Sequence, residues 1–146
     1  MDTKRALRST LLPMVALFAA VPAHADTPLC PDTVAAKQAG TAPSPEWSVT
    51  YSAAPSQLEM VTFFRGPPND EASLVYDELA HAKDVTIATW KFAKDPRGYW
   101  VKCSYRNTTL ELSKALPPTV KSCHVAYSRE AHTPVGLPVI ERSFCR

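Results

Sequence analysis

The sequence of 146 residues contains only four glycines, against 14 prolines. Glycine-rich loops that cradle phosphates therefore have little material, and no such motif is present. HExxH and GxSxG are absent as well, which removes the usual signatures of zinc proteases and serine hydrolases. No two cysteines stand at CxxC spacing, which argues against redox and zinc chemistry together. Long apolar runs are also missing. The stretch from Leu11 to Val21 is interrupted by Pro13 and followed by Pro22, and it falls short of the roughly 20 residues that a membrane-spanning helix needs. No stable membrane anchor and no cofactor are expected. Cys30 follows Leu29, where a lipidation signal needs a small residue, so a lipid-anchored cysteine is not expected either.

What is present at the start reads as an address. Lys4, Arg5 and Arg8 precede the apolar run, which ends in the small-residue sequence Ala23-His24-Ala25, the pattern of a secretory signal peptide over residues 1–25. Cleavage there leaves residues 26–146, one ordinary domain with enough chain to bury a core. It also removes three of the 16 basic and one of the 14 acidic residues, leaving 13 of each. A near-neutral mature chain excludes a strongly cationic nucleic-acid binder. All four cysteines lie in the mature part. An even number behind an export signal points to two structural disulfides in an oxidising compartment, periplasmic or extracellular.

Residues 26–45 carry Pro28, Pro31, Pro43 and Pro45 and should form an extended arm, with one helical turn near Val34 to Gln38. Beyond it, alternation and β-branched or aromatic content predict strands at 47–51, 58–64, 85–92, 99–105, 120–127 and 138–145, with a further strand following residue 109. A short helix is expected within 69–84, capped by Asp70 and carrying Leu74, Val75 and Leu79 at helical spacing. About seven short strands and at most one or two short helices make a single small, mainly β, antiparallel domain, a meander or a sandwich. In the segment from Tyr99 to Tyr105, period-two alternation sends Cys103 and Val101 to one face and Lys102 and Ser104 to the other. Arg106 and Asn107 are expected to form a tight hairpin loop, with Asn107 at positive φ, Cys103 opposite Leu110 and Val101 opposite Leu112.

Four cysteines allow three pairings. If the Leu-Pro-Pro segment at 116–118 makes a hairpin pairing residue 113 with 120, Cys103 and Cys123 flank Leu110 on strands about 9.6 Å apart, twice the strand spacing. That exceeds the Cα separation of about 7 Å a disulfide tolerates. The favoured pairs are then Cys123 with Cys145, on consecutive strands, and Cys30 with Cys103, tying down the arm.

Three places carry candidate chemistry. Trp100, Lys102 and Arg106 form an aromatic-basic patch within residues 91–121, where seven cations face two acids. Such a patch suits an anionic glycan, a lipid headgroup or an acidic envelope protein, against the plainer reading of cross-strand charge pairs. Residues 128–138 form a loop suited to insertion into an enzyme cleft. Asp77 and His81 would share a helix face at i, i+4 and allow acid/base work, against a plain solvated helix end. No set of residues has metal-ligand spacing, and no catalytic constellation is complete.

The Cys30-Pro31 pair near the mature start, YWVKCSYRNT at 99–108, LPPTVKSCHVAY at 116–127 and the final Phe-Cys-Arg resemble a family of small secreted proteobacterial proteins with four cysteines. The resemblance spans nearly all of the mature chain. It implies export and disulfide bonding, and it carries no catalytic residues. The expected function is a non-enzymatic periplasmic binding domain, with inhibition of a periplasmic or cell-wall hydrolase as the alternative.

Overall fold

A computed structural model describes residues 28–37, 40–50 and 54–146; the expected signal peptide lies outside them. The strands, in chain order, are β1 (Thr33–Val34), β2 (Ser56–Arg65), β3 (Glu78–His81), β4 (Val85–Lys91), β5 (Tyr99–Tyr105), β6 (Glu111–Ala115), β7 (Ser122–His132) and β8 (Pro138–Cys145). They make two antiparallel four-stranded sheets, ordered β1-β2-β5-β6 and β3-β4-β7-β8. The only helical turn among the described residues is a 3-10 segment at Pro68–Asp70. The domain is thus mainly β, as expected, and it is a sandwich rather than a meander.

Alternation in each strand explains the core. On β2 and β5, Val61, Phe63, Val101, Cys103 and Tyr105 point inward and are buried. Ala88 and Trp90 on β4, and Cys123 and Val125 on β7, supply the other wall. Phe63 joins the layers, with its ring 4.7 Å from Trp90 and 5.8 Å from Phe92, and Phe92 lies 4.5 Å from Tyr99. Burying aromatics of this size is the main cohesive force between two sheets that share no ladder.

The proline-rich arm is part of this core. Leu29 and Cys30 are buried, the Leu29 N–H donates to Ser143 O at 3.1 Å, and Tyr105 Oη–H donates to Pro31 O at 3.0 Å. Where a helical turn was expected, Thr33 and Val34 pair with Gln57 and Ser56; Gln38 lies outside the described residues. The strand expected at 47–51 is absent over 47–50, which are irregular and exposed, and Tyr51 lies outside the described residues. β2, the strand that follows, takes β1 and β5 as its neighbours instead.

The helix expected within 69–84 does not form. Glu71, at φ 55°, ends the 3-10 turn. The chain then runs extended because its backbone groups find partners in both sheets. Leu74 N–H donates to Phe63 O at 2.8 Å, Trp90 Nε1–H donates to Leu74 O at 3.2 Å, and Asp77 N–H donates to Thr89 O at 2.8 Å. These tertiary bonds override the local helical spacing.

Two registers also differ. Asn107 has positive φ, at 57°, but the turn takes in residues 106–110, with Leu110 N–H donating to Thr108 Oγ1 at 3.1 Å. Cys103 therefore faces Leu112, and Val101 faces Lys114, a slip of two residues that leaves inward and outward faces unchanged. The Leu-Pro-Pro segment is not a hairpin. It carries the chain from β6, an edge of one sheet, to β7, inside the other. Cys103 and Cys123 thus lie in opposite sheets, not two strands apart in one. The disulfides join Cys30 to Cys103, with Cα atoms 5.9 Å apart, and Cys123 to Cys145, 4.0 Å apart and directly opposite in the β7–β8 ladder.

Candidate functional site

Trp100 and Lys102 both stand on the outer face of the first sheet, beside Phe64 and Thr62 of β2. Trp100 is half-buried. Lys102 Nζ lies 5.4 Å from the Phe64 ring centroid and 3.0 Å from Glu111 Oε1. Arg106 belongs to the β5–β6 turn; its Nε is 3.9 Å from Glu59 Oε1, and its backbone N–H donates to Gln57 O. Both cations thus have acidic partners on neighbouring strands. Elsewhere in the basic stretch Lys91 pairs with Glu78 and Arg97 with Asp95. Much of the positive charge seen in the sequence is neutralised across strands, and what remains of its field at the surface is screened.

Asp77 and His81 are not brought together. In an extended chain, four residues span about 13 Å. The Asp77 carboxylate accepts from the Lys91 N–H at 2.7 Å, and His81 Nδ1 lies 3.1 Å from Thr86 Oγ1. An acid/base pair on one helix face is therefore excluded.

The segment 128–138 is mostly strand with a short tip at 133–137. The tip is closed by its own hydrogen bonds. Thr133 N–H donates to Leu137 O at 2.7 Å, Leu137 N–H donates to Thr133 Oγ1 at 3.1 Å, and Gly136 N–H donates to Thr133 O at 2.8 Å. Gly136 takes φ 83°, a left-handed turn position that glycine occupies without steric cost. Lower down, Ala131 N–H donates to the buried Ser128 Oγ. Arg129 ties the hairpin to the neighbouring β3–β4 turn, through its N–H to Asp84 O and its guanidinium to Ala82 O and Lys83 O. On this braced tip, Val135 is 71% exposed and Leu137 45% exposed.

A second surface was missed in the sequence. Arg142 and Phe144 of β8, and Arg146 directly after it, alternate along the chain and share the outer face of the second sheet. The guanidinium carbons of Arg142 and Arg146 lie 5.3 Å and 5.0 Å from the Phe144 ring centroid. The His124 ring stacks on Phe144 at 5.0 Å, and its nitrogens contact Thr89 Oγ1 at 3.0 Å and Ser122 Oγ at 3.1 Å. Burial, reinforced by the Arg146 charge and opposed by Glu78, holds the His124 pKa below its usual value. The available signal was period-two spacing of Arg, aromatic and Arg; it was overshadowed by the cysteine between them.

The family model for the type VI secretion system Tli immunity protein matches residues 51–146. The chain belongs to that family. Neither the curated proteins nor the solved structures give a match. The Tli match covers β2 to β8 and with them the braced hairpin, the Arg142–Phe144–Arg146 face and the whole Cys123–Cys145 loop. The arm that carries Cys30 precedes it.

Proposed function

We propose that this chain is a non-enzymatic periplasmic immunity protein that binds and neutralises a toxic effector of a type VI secretion system, seating the β7–β8 tip against it. Membership of the Tli immunity family carries this reading. It favours the inhibitor alternative of the sequence reading over capture of an anionic glycan. Two disulfides among the described residues accord with an oxidising compartment. The tip offers what an inhibitory contact needs, exposed apolar side chains whose backbone is already ordered, so that little conformational entropy is lost on binding.

The test is crosslinking of the oxidised, exported protein in cells and identification of its partner, followed by capture assays with variants. V135D/L137D should weaken capture at least tenfold while leaving the urea unfolding midpoint in place. Undiminished capture by V135D/L137D, or loss confined to K102A/R106A, would move the interface from the tip to the Trp100 face. Failure to recover any toxic effector would overturn the immunity reading itself.

A further inference from the structure

We propose that the outer face of β8, where Arg142 and Arg146 flank Phe144, is a docking surface for a pair of carboxylate side chains on a protein partner. The partner is taken to be the effector, so in this respect the inference rests on the immunity reading.

The six arginines of the described residues divide sharply. Arg65 and Arg97 pair with Asp95, Arg106 with Glu59, and Arg129 donates to two backbone carbonyls. Arg142 and Arg146 alone have neither an ion pair nor a hydrogen bond for their side chains among the described residues, and both sit beside the same ring. Of the acids nearby, Glu78 is engaged by Lys91 Nζ, while Asp32 and Glu141 line a cavity with Arg142 and Phe144 but pair with neither arginine. Two guanidinium groups on this face are therefore left without an anionic partner among the described residues.

Its geometry narrows the ligand. The ring-centroid distances of 5.3 Å and 5.0 Å place the two guanidinium carbons no more than about 10.3 Å apart, with the guanidiniums drawn toward the aromatic ring by cation–π attraction. That spacing accommodates acidic residues at i, i+2 of an extended segment or i, i+3 and i, i+4 of a helix. Guanidinium groups bind carboxylates through paired N–H donors. His124 buttresses the back of Phe144, with both its nitrogens already occupied by hydroxyls, so it holds the ring rather than competing for the ligand. Strand amides point along the sheet plane rather than out of its face, so this face lacks the convergent backbone donors of a phosphate cradle. It does match the Arg-and-aromatic make-up of protein interface hot spots.

The experiment titrates the isotope-labelled, oxidised full chain with a blocked hexapeptide of alternating Glu and Gly. The Lys-Gly hexapeptide, inorganic phosphate and phosphatidylglycerol vesicles serve as separate arms. The acidic peptide should perturb the resonances of Arg142, Phe144, Arg146 and the His124 ring. R142Q/R146Q should weaken that binding at least tenfold without changing the fold. Perturbation centred elsewhere, none at all, or phosphate or vesicles binding as tightly as the acidic peptide would overturn the proposal. With the effector in hand, capture that V135D/L137D abolishes and R142Q/R146Q leaves intact would refute this surface and spare the immunity reading. If no effector is found, the peptide titration still decides.

Discussion

Breaking the Cys30–Cys103 bond, as C30A/C103A, should destabilise the protein more than breaking Cys123–Cys145, as C123A/C145A. A cross-link restricts the unfolded chain, and more so the longer the loop it closes. In that account the separation of 73 residues gives about 4.4 kcal/mol at 25 °C, and the separation of 22 residues about 3.4 kcal/mol. Native-state contacts widen the gap. Cys123 and Cys145 remain opposite each other in a ladder that continues through Arg146, whose N–H donates to Ser122 O and whose carbonyl accepts from Lys121 and Ser122. Cys30 has no such ladder. Without its bond the arm is held by the short β1 pairing and a few hydrogen bonds, each worth about 1 kcal/mol, and its release uncovers Leu29 and the Cys103 side of the core. Urea unfolding of the three oxidised proteins, combined with amide exchange, tests this. The midpoints should fall from wild type to C123A/C145A to C30A/C103A. The Leu58 amide, which donates to Asp32 O at 2.8 Å, should exchange by local opening in C30A/C103A alone. A less stable C123A/C145A, or Leu58 protection undiminished in C30A/C103A, would refute the reasoning.

Two further outcomes follow from the same geometry. Gly66 and Gly98 have φ of 82° and 67°, so alanine at either costs about 1–2 kcal/mol in backbone strain. At Gly66 the new Cβ also meets Asp70 Oδ2 at 2.9 Å, whereas at Gly98 nothing lies within 4 Å; urea midpoints should place G66A below G98A, and equal midpoints would remove the steric part. The pKa of His124 is lowered from 6.5 in the folded chain, first by burial and then by Arg146. Below pH 6.5 the unfolded chain therefore binds the extra proton first, and stability present above that pH is lost as pH falls through the folded pKa. Between pH 7.5 and 5.0 the wild type should lose more stability than H124Q, and equal losses would show that His124 is not responsible.

Inward-facing residues were legible where one strand's alternation sufficed. Val61, Phe63, Val101 and Cys103 face the core as period two requires, and the two-residue slip at Asn107 could not disturb them, because register slips by even numbers preserve the face. What the sequence concealed was decided by partners distant in the chain. The 69–84 segment has helical spacing, yet Phe63 and Thr89 offer its amides acceptors in two sheets. The Leu-Pro-Pro turn looks like a hairpin, but β7 takes β4 and β8 as its neighbours, leaving β6 at an edge. The candidate Trp100 patch was read from a local excess of cations, whereas Glu59 of β2, distant in sequence, meets Arg106. Charge along a strand says little about field at its surface until the neighbouring strands are known.

The two disulfides have different mechanical roles. Neither joins strands of the two sheets: one ties the arm to β5, and the other closes β7 onto β8 within the second sheet. Cohesion between sheets therefore falls to Phe63, Trp90 and Phe92 and to the arm lodged through Leu29. The hairpin is organised differently. Its Cys123–Cys145 bond lies at the opposite end of the β7–β8 ladder from the tip that presents Val135 and Leu137, with Arg129 bracing the span between. A load applied at the tip is carried down that ladder to a covalent closure. The Arg142–Phe144–Arg146 face stands beside the same closure, since Cys145, the last residue of β8, lies between Phe144 and Arg146. Both proposed contacts thus lie on one pre-ordered element, so the entropy of ordering it is already spent before a partner arrives.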